Sequence, residues 1–304
     1  MNIKQNIVRI KTASQMSSGI IYPCENKKNK FDDSSFIIFT NRHVVEDLPE
    51  DDDKLNLAVD FEIYDRCGTL ITIPKSCKEK FELKLFYQKF DERNIRETVD
   101  IAAFLLTFHY KIDIDLEKRV LWDENELDEI YMEGFPQILS DNTISSKIEL
   151  KGIYKHIFPI NDKVGIFQIT DDYHWYSNYK DLRLFKGFSG SPIYKKDNGK
   201  ACIIGMNQSM LNIEDGENPF KLLYYYKFKY ILEYLREQGC IIFRRNKDTS
   251  VSIRWQNKNV SKEEKTNNIN LLLLGASGAG KSSFAKTFLF NSKYIDSTND
   301  GQTT

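Results

Sequence analysis

Short apolar runs separated by polar loops dominate the chain up to about residue 240. Such runs, whether continuous or alternating, are typical of β-strands. They predict strands at 7–10, 18–22, 35–40, 56–64, 69–73, 81–87 and 100–107, and again at 129–132, 146–154, 164–170, 192–194, 201–206 and 220–226. Short strands at this spacing predict an antiparallel barrel or sandwich. The acidic stretch 46–54 between two of them reads as a solvated loop.

The charged segment 111–127 separates two strand-rich halves of similar size. Leu116, Val120 and Leu121 lie at near-helical spacing, so the segment is interpreted as a connection that carries a short helix. The two halves predict two β-barrels, at about 1–115 and 125–240.

The hydrophobic period changes after residue 226. Over 227–238 the apolar residues fall on one helix face, and Gly239 is the residue type that often follows a helix. A last strand is predicted at 241–243. The polar stretch 246–268 has no sustained apolar period and is interpreted as a linker, which places the end of the strand-rich domain at about residue 245.

The composition argues against two classes of binding partner and indicates a cellular compartment. A formal charge of −1 provides no electrostatic basis for binding nucleic acid or an anionic membrane surface. No apolar run approaches the about 18–20 residues of a spanning helix, and the N-terminus lacks the apolar core of a secretory signal. The five cysteines are scattered without a C-x-x-C pair, which fits a reducing cytosol. A cytoplasmic location is predicted.

A serine lies between two glycines in residues 187–192, whose sequence is GFSGSP. A serine that attacks a carbonyl needs its own N–H, and one two residues upstream, to point into one concavity. Gly187 and Gly190 allow such a backbone because glycine adopts positive φ without steric cost. Taken alone, the stretch is also typical of an ordinary turn.

A serine hydroxyl needs a base with a pKa near 7, and that base needs an orienting carboxylate. Of the four histidines, His43 closes an apolar strand that runs into a tight turn. Asp100 opens another apolar strand, where a partly buried and hydrogen-bonded carboxylate is expected. His109, His156 and His174 have no companion signal and are interpreted as ordinary histidines.

Three blocks in this order resemble those of the trypsin-like serine proteases, and most of all their intracellular and bacterial branch. The blocks are TNRHVV at 40–45, DIA at 100–102 and GFSGSP at 187–192. Gly19 resembles the glycine of the family's first strand, and Gly134 with Pro136 resembles a G-x-P early in the second barrel. The resemblance covers about residues 5–243. It implies a mostly β fold of two barrels with a C-terminal helix and a site in the cleft between the barrels.

The resemblance also implies the role of each residue at the site. Ser189 is the nucleophile, His43 the general base and acid, and Asp100 the group that fixes the histidine tautomer and stabilises the imidazolium. The N–H groups of Gly187 and Ser189 form the oxyanion hole.

Two residues depart from the family pattern without removing a catalytic group. Arg42 replaces the small residue usual before the histidine, and Phe188 replaces the frequent Asp or Asn before the serine. Phe188 leaves open a second reading, in which the domain is an inactive pseudoprotease that binds proteins.

The resemblance implies a specificity pocket close to the serine. Arg183 takes the upstream position at the base of that pocket, and Met206 with Asn207 forms a wall. A cation there predicts a preference for an acidic residue before the scissile bond; a solvated arginine is the alternative.

Residues 275–282, GASGAGKS, fit the phosphate-binding pattern G-x-x-x-x-G-K-S. An apolar strand-like run at 269–274 precedes them and a helix-compatible stretch follows. Gly275 and Gly280 belong to the loop that cradles phosphates, Lys281 reaches the β- and γ-phosphates, and Ser282 ligates Mg²⁺. The stretch resembles the opening of P-loop GTPases and of immune-type NTPases, and it implies Mg-ATP or Mg-GTP.

Only about 36 residues follow the linker, whereas a parallel α/β domain needs well over about 100. Residues 269–304 are therefore predicted to be the N-terminal fragment of an NTPase domain, and NTP hydrolysis is expected only in a longer protein. In this chain the fragment is expected to bind nucleotide weakly or not at all.

Together these features predict a cytoplasmic serine endopeptidase that cleaves a protein substrate without a cofactor. The NTPase region is expected to regulate it through nucleotide binding or self-association, as in sensor–effector proteins of anti-phage defence, which is an analogy of architecture. No nucleic acid or membrane partner is expected. The alternatives are a pseudoprotease module on a nucleotide switch, and an NTPase whose N-terminal part is only a scaffold.

Overall fold

The fold is given by a computed structural model, which describes residues 6–25, 34–49, 52–55, 58–65, 69–73, 81–88, 99–110, 112, 114–122, 129–136, 147–154, 163–170, 186–197, 200–210 and 222–256. The chain divides into two units, Met1–Lys258 and Asn259–Thr304, and all described residues belong to the first. The predicted nucleotide-binding residues therefore lie outside the described residues, namely Gly275, Gly280, Lys281 and Ser282.

The N-terminal half forms one antiparallel sheet of seven strands in the order β5-β4-β1-β2-β3-β7-β6. Its strands are β1 (Ile7–Lys11), β2 (Met16–Pro23), β3 (Ser34–Thr40), β4 (Asp60–Tyr64), β5 (Leu70–Ile73), β6 (Phe81–Tyr87) and β7 (Ala102–Phe108). In β3, Ile38 packs in the core on one face of the sheet, while Ile37 and Phe39 pack in a second core on the other face. Because side chains alternate between faces, burial on both sides requires the continuous apolar run seen in the sequence.

The C-terminal half closes into a six-stranded barrel in the order β10-β13-β12-β11-β8-β9. Its strands are β8 (Glu129–Gly134), β9 (Ile148–Tyr154), β10 (Val164–Ile169), β11 (Pro192–Asp197), β12 (Lys200–Met210) and β13 (Leu222–Lys227). Pairing of β9 with β10 completes the ring, and a core that includes Ile130, Phe167 and Ile193 fills it.

The mostly β prediction is confirmed, and the second predicted barrel is present. The first half differs from the predicted barrel. Within the described ranges it is an open sheet with β5 and β6 at its edges, because no ladder joins these two strands.

The predicted C-terminal helix is present as α2 (Phe228–Glu237), numbered after the short helix α1 (Asp52–Leu55). Its apolar face is buried through Phe228, Ile231, Leu232 and Leu235. The Phe228 ring meets Phe39 of β3 edge to face at 5.1 Å, so a helix that follows the barrel packs on the sheet of the other half. Gly239 ends the helix at a φ of +69°, a conformation that favours glycine.

Three local predictions are wrong. The linker predicted from residue 246 contains β15 (Val251–Trp255), which pairs with β14 (Ile241–Arg245). The sequence did not indicate this strand, because its two buried residues, Val251 and Ile253, span too few positions to establish a hydrophobic period. The stretch 46–54, predicted as a solvated loop, includes the first three residues of α1, and Leu48 within it is buried. The described part of 111–127 carries no helix and is extended instead, so that Val120 bridges to Ile203 of the barrel. Within the described residues, no helix has the length and apolarity needed to cross a membrane.

Glu117 holds this extended connection in place. Its carboxylate is buried and accepts hydrogen bonds from Arg119 Nε and Nη2, at 2.8 and 2.6 Å, and from the backbone N–H groups of Lys118 and Arg119. Burial acts to raise the pKa of Glu117, but the bonds and charge of Arg119 outweigh it, so the pKa lies below its usual value.

We therefore expect Glu117→Gln to lower the free energy of unfolding at pH 7 by about 1–3 kcal/mol. Because the folded-state pKa is lowered, this contribution is complete above the unfolded pKa of about 4.3 and is lost as the pH falls through the folded value. Urea unfolding at pH 7 and at stepwise lower pH should show the difference from wild type shrinking. Glu46→Gln, at an exposed carboxylate paired with Arg42, is the control and should change stability little. A difference that does not depend on pH would contradict the prediction.

Candidate active site

His43 lies in a 3₁₀ turn, Arg42–Val44, that directly follows the end of β3. Val44 is buried in the core of the N-terminal sheet and anchors this turn. Gln15 Nε2 donates a hydrogen bond of 2.9 Å to the His43 carbonyl oxygen. The turn thus fixes the backbone of His43 while its side chain stays 38% exposed.

Asp100 reaches His43 because of the register between two strands. β3 and β7 are antiparallel neighbours in which Thr40 pairs with Ala102, so residues just after β3 and just before β7 emerge at one end of the sheet. Asp100 Oδ2 lies 2.8 Å from His43 Nδ1, and Asp100 Oδ1 accepts the His43 backbone N–H at 3.0 Å. Asn41 Nδ2 also donates to the Asp100 carbonyl oxygen at 3.2 Å. A carboxylate held by two bonds to one histidine sets both the place and the rotation of its ring.

Ser189 comes from the C-terminal half, in the loop that leads into β11. Gly187 and Gly190 on either side of it have φ values of +93° and +81°, which explains why glycine occupies both positions. Ser189 Oγ lies 3.1 Å from His43 Nε2. The structure therefore brings together the three side chains singled out in the sequence, with one ring nitrogen of His43 on Asp100 and the other on Ser189.

Ser17 and Ser18 of β2 bind this loop to the N-terminal sheet. The Ser189 carbonyl oxygen accepts the Ser18 N–H at 3.0 Å and the Ser17 hydroxyl at 2.9 Å. Ser18 Oγ donates to the Gly187 carbonyl at 2.6 Å and accepts the Phe135 N–H at 3.1 Å. These contacts fix Ser189 relative to His43, although the two residues belong to different halves of the fold. Neither serine was identified as a site residue from the sequence, in which only Gly19 of this strand was singled out.

The two predicted oxyanion donors are the N–H of the nucleophile itself and the N–H of the residue two positions before it. Within the part of the chain that the structure describes, the N–H groups of Gly187 and Ser189 make no hydrogen bond, whereas the carbonyl oxygens of both residues are bound. Their role in an oxyanion hole stays a prediction.

Tyr226 contacts the backbone of Asp100 and was not singled out in the sequence. The Asp100 N–H donates to the Tyr226 hydroxyl at 3.3 Å. Burial is the main cause that raises the pKa of Tyr226 to about 12, so the hydroxyl stays neutral at physiological pH. The residue stands in β13 with other tyrosines, and nothing in that run distinguishes it by sequence.

Of the three predicted specificity residues, the structure describes two, and both are buried. Arg183 lies outside the described residues. Met206 is fully buried in the core that also contains α2. Asn207 is buried, and its Nδ2 donates to the Phe188 carbonyl at 3.0 Å. A pocket that selects an acidic side chain stays a prediction.

Comparison with known proteins finds similarity only to solved structures. No protein-family model matches the chain, and no curated protein matches it. Among solved structures, it is similar to the inactive form of a mutant of Rv3671c from M. tuberculosis H37Rv, at 12% identity over 77% of this chain and 86% of that chain, with a TM-score of 0.43. It is also similar to Deg5, at 19% identity over 77% of this chain and 90% of that chain, with a TM-score of 0.40. Both likenesses are weak.

Proposed function

We propose that this protein is a serine endopeptidase that cleaves a protein substrate through Ser189, His43 and Asp100. The proposal depends on one observation. His43 Nδ1 lies 2.8 Å from Asp100 Oδ2 while its Nε2 lies 3.1 Å from Ser189 Oγ. Both distances are within the range in which a base takes a proton from a nucleophile and is oriented by a carboxylate.

The order of proton transfers follows from these contacts. Asp100 accepts the Nδ1–H of His43, so the lone pair of Nε2 faces the Ser189 hydroxyl. As Ser189 Oγ attacks the peptide carbonyl, His43 takes its proton and then gives it to the leaving amine. A water molecule, deprotonated by His43 in the same way, hydrolyses the acyl-enzyme.

The tetrahedral intermediate carries a negative oxygen that must be stabilised. We assign this task to the N–H groups of Gly187 and Ser189, which have no acceptor among the described residues. In comparable chemistry, loss of one such donor costs about 2.7–4 kcal/mol of barrier. The positive φ of Gly187 is consistent with this role, since a side chain there would strain the turn.

The His43 side chain is 38% exposed beside Ser189, so a substrate can reach the site from solvent. Regulation by the nucleotide-binding pattern at 275–282, self-association, a cytoplasmic location and a role in anti-phage defence stay predictions from the sequence. The mechanism above depends on none of them.

A fluorophosphonate probe tests the proposal, because it reacts only with an activated serine. We expect the folded wild-type protein to be labelled on Ser189, as mapped by mass spectrometry, and to cleave casein. Ser189→Ala should abolish both, whereas Ser14→Ala, at an exposed serine, should change neither. An unlabelled wild-type protein would contradict the proposal and favour a pseudoprotease, and equal labelling of Ser189→Ala would place the nucleophile elsewhere.

A further inference from the structure

Asn207 of β12 binds the residues on both sides of Ser189. Its Nδ2 donates to the Phe188 carbonyl at 3.0 Å. Its backbone N–H donates to the Ser191 carbonyl at 2.8 Å, and its carbonyl accepts the Gly190 N–H at 3.0 Å. The first bond comes from the side chain, so it is specific to asparagine, whereas any residue in the strand could form the other two.

The side-chain bond controls a peptide group that belongs to the proposed site. The Phe188 C=O and the Ser189 N–H are parts of one planar trans peptide, so they point in opposite directions. When Asn207 holds the carbonyl on the barrel side, the Ser189 N–H must point away from Asn207. That N–H makes no hydrogen bond to the described residues, and it is one of the two proposed oxyanion donors.

Phe188 is held by its side chain as well as by its carbonyl. Its ring is fully buried in the core of the barrel, next to Gly134, where an added Cβ would overlap the ring. The Ser191 N–H also donates to the Phe188 carbonyl, at 3.0 Å. The ring thus fixes the place of residue 188, and two donors fix the direction of its carbonyl.

Stability alone does not explain an asparagine at this position. Asn207 is 4% exposed, and its Oδ1 is buried without a hydrogen-bond partner among the residues that the structure describes. A buried polar atom without a partner destabilises a fold, so a residue selected only for packing would be apolar. The part of the amide that is used is its donor, and that donor binds the nucleophile loop.

We propose that Asn207 is a positioning residue for acyl transfer: it holds the Phe188–Ser189 peptide in the rotation that aims the Ser189 N–H at the oxyanion. This inference rests on the proposed function, since an oxyanion forms only if Ser189 attacks a carbonyl. It concerns the transition state and not the substrate, so it predicts an effect on kcat with little effect on KM.

The test compares Asn207→Ala with Asn6→Ala. Asn6 is an equally buried asparagine in the other half, whose Nδ2 donates to the carbonyls of Ile21 and Glu117 at 2.8 and 3.0 Å. We expect Asn207→Ala to slow fluorophosphonate labelling and to lower kcat on p-nitrophenyl acetate by about 10–100-fold, which is less than the loss of a whole donor because Ser191 still holds the carbonyl. Asn6→Ala should lower the unfolding midpoint but leave the labelling rate of the folded protein unchanged.

Asn207→Asp is a second variant of the same shape, in which an acceptor replaces the donor that faces the Phe188 carbonyl. It should lose at least as much kcat as the alanine variant, again at nearly constant KM. Wild-type rates in both folded Asn207 variants, or a fall only in the unfolding midpoint, would overturn the positioning role while leaving the labelling of Ser189 in wild type intact. A wild-type protein that is itself unlabelled would overturn the proposed function and this inference together.

Discussion

Replacing Asp100 by asparagine is expected to lower kcat by about 10⁴-fold while leaving the fold intact. The carboxylate makes two bonds to His43, and they respond differently to the change. Oδ1 accepts the His43 backbone N–H at 3.0 Å, and an amide oxygen accepts it equally well. Oδ2 lies 2.8 Å from His43 Nδ1, and the amide nitrogen that replaces it is a donor.

The amide NH₂ that replaces Oδ2 in Asp100→Asn changes the tautomer of the His43 imidazole. Facing an amide NH₂, His43 Nδ1 must accept, so the ring proton moves to Nε2. An Nε2–H then points at Ser189 Oγ, 3.1 Å away, and cannot take the proton of the hydroxyl. The backbone contacts of Asp100 with Asn41 and Tyr226 persist, because they involve its carbonyl and N–H groups and not the carboxylate.

The rate of fluorophosphonate labelling and the turnover of casein measure this effect, and thermal unfolding checks the fold. Asp65→Asn is the matched control, because Asp65, which follows β4, also accepts a backbone N–H, from Thr69 at 2.8 Å. That variant should keep the wild-type rate. If Asp100→Asn stays within a factor of about 10 of wild type, Asp100 does not orient His43 in the reaction.

The parts of the fold that could be predicted are those with a local signal. The continuous apolar run of β3 reflects burial on both faces of a sheet, and Ile37 to Phe39 are indeed fully buried. β15 escaped prediction because two buried residues, Val251 and Ile253, are too few to establish a period. What makes it a strand is its position, since Ile253 also bridges to Cys24 at the end of β2.

The residues of the candidate site also fall into those that the sequence indicates and those that it does not. The sequence indicates His43, Asp100 and Ser189, because each lies at the end of an apolar run or between glycines. The resemblance to a known family then assigns each residue its role. The neighbouring sequence does not distinguish Ser18 and Tyr226, because each contributes through a contact with a residue far away in the chain. Ser18, for example, bonds to Gly187 across 169 positions. Such pairs are set by tertiary packing, which one sequence does not display.

Gly190→Ala is expected to cause a large loss of stability at the proposed site. Gly190 has a φ of +81°, where an alanine is strained by about 1–2 kcal/mol. A Cβ there would overlap the Ser18 carbonyl oxygen and lie 2.6 Å from Thr40 Oγ1. Overpacking of this kind typically adds about 1–3 kcal/mol, so the free energy of unfolding should fall by about 2–5 kcal/mol.

The obstructing atoms at Gly190 cannot move aside easily. Ser18 is fully buried in β2, and its carbonyl oxygen accepts the Thr40 hydroxyl at 3.0 Å. The loop must therefore move instead, which breaks the bond from the Ser18 N–H to the Ser189 carbonyl and draws Ser189 away from His43. We expect fluorophosphonate labelling to fall below detection in the protein that remains folded.

Gly239→Ala separates the two contributions, because Gly239 has a similar φ of +69° but no atom within 4 Å of an added Cβ. It should lose only the backbone part, about 1–2 kcal/mol, and keep the wild-type labelling rate. Urea unfolding of both variants gives the difference, which isolates the steric conflict with Ser18. Equal losses in the two variants would mean that the nucleophile loop does not press against β2, and the close approach of the two halves at Ser189 would then be wrong.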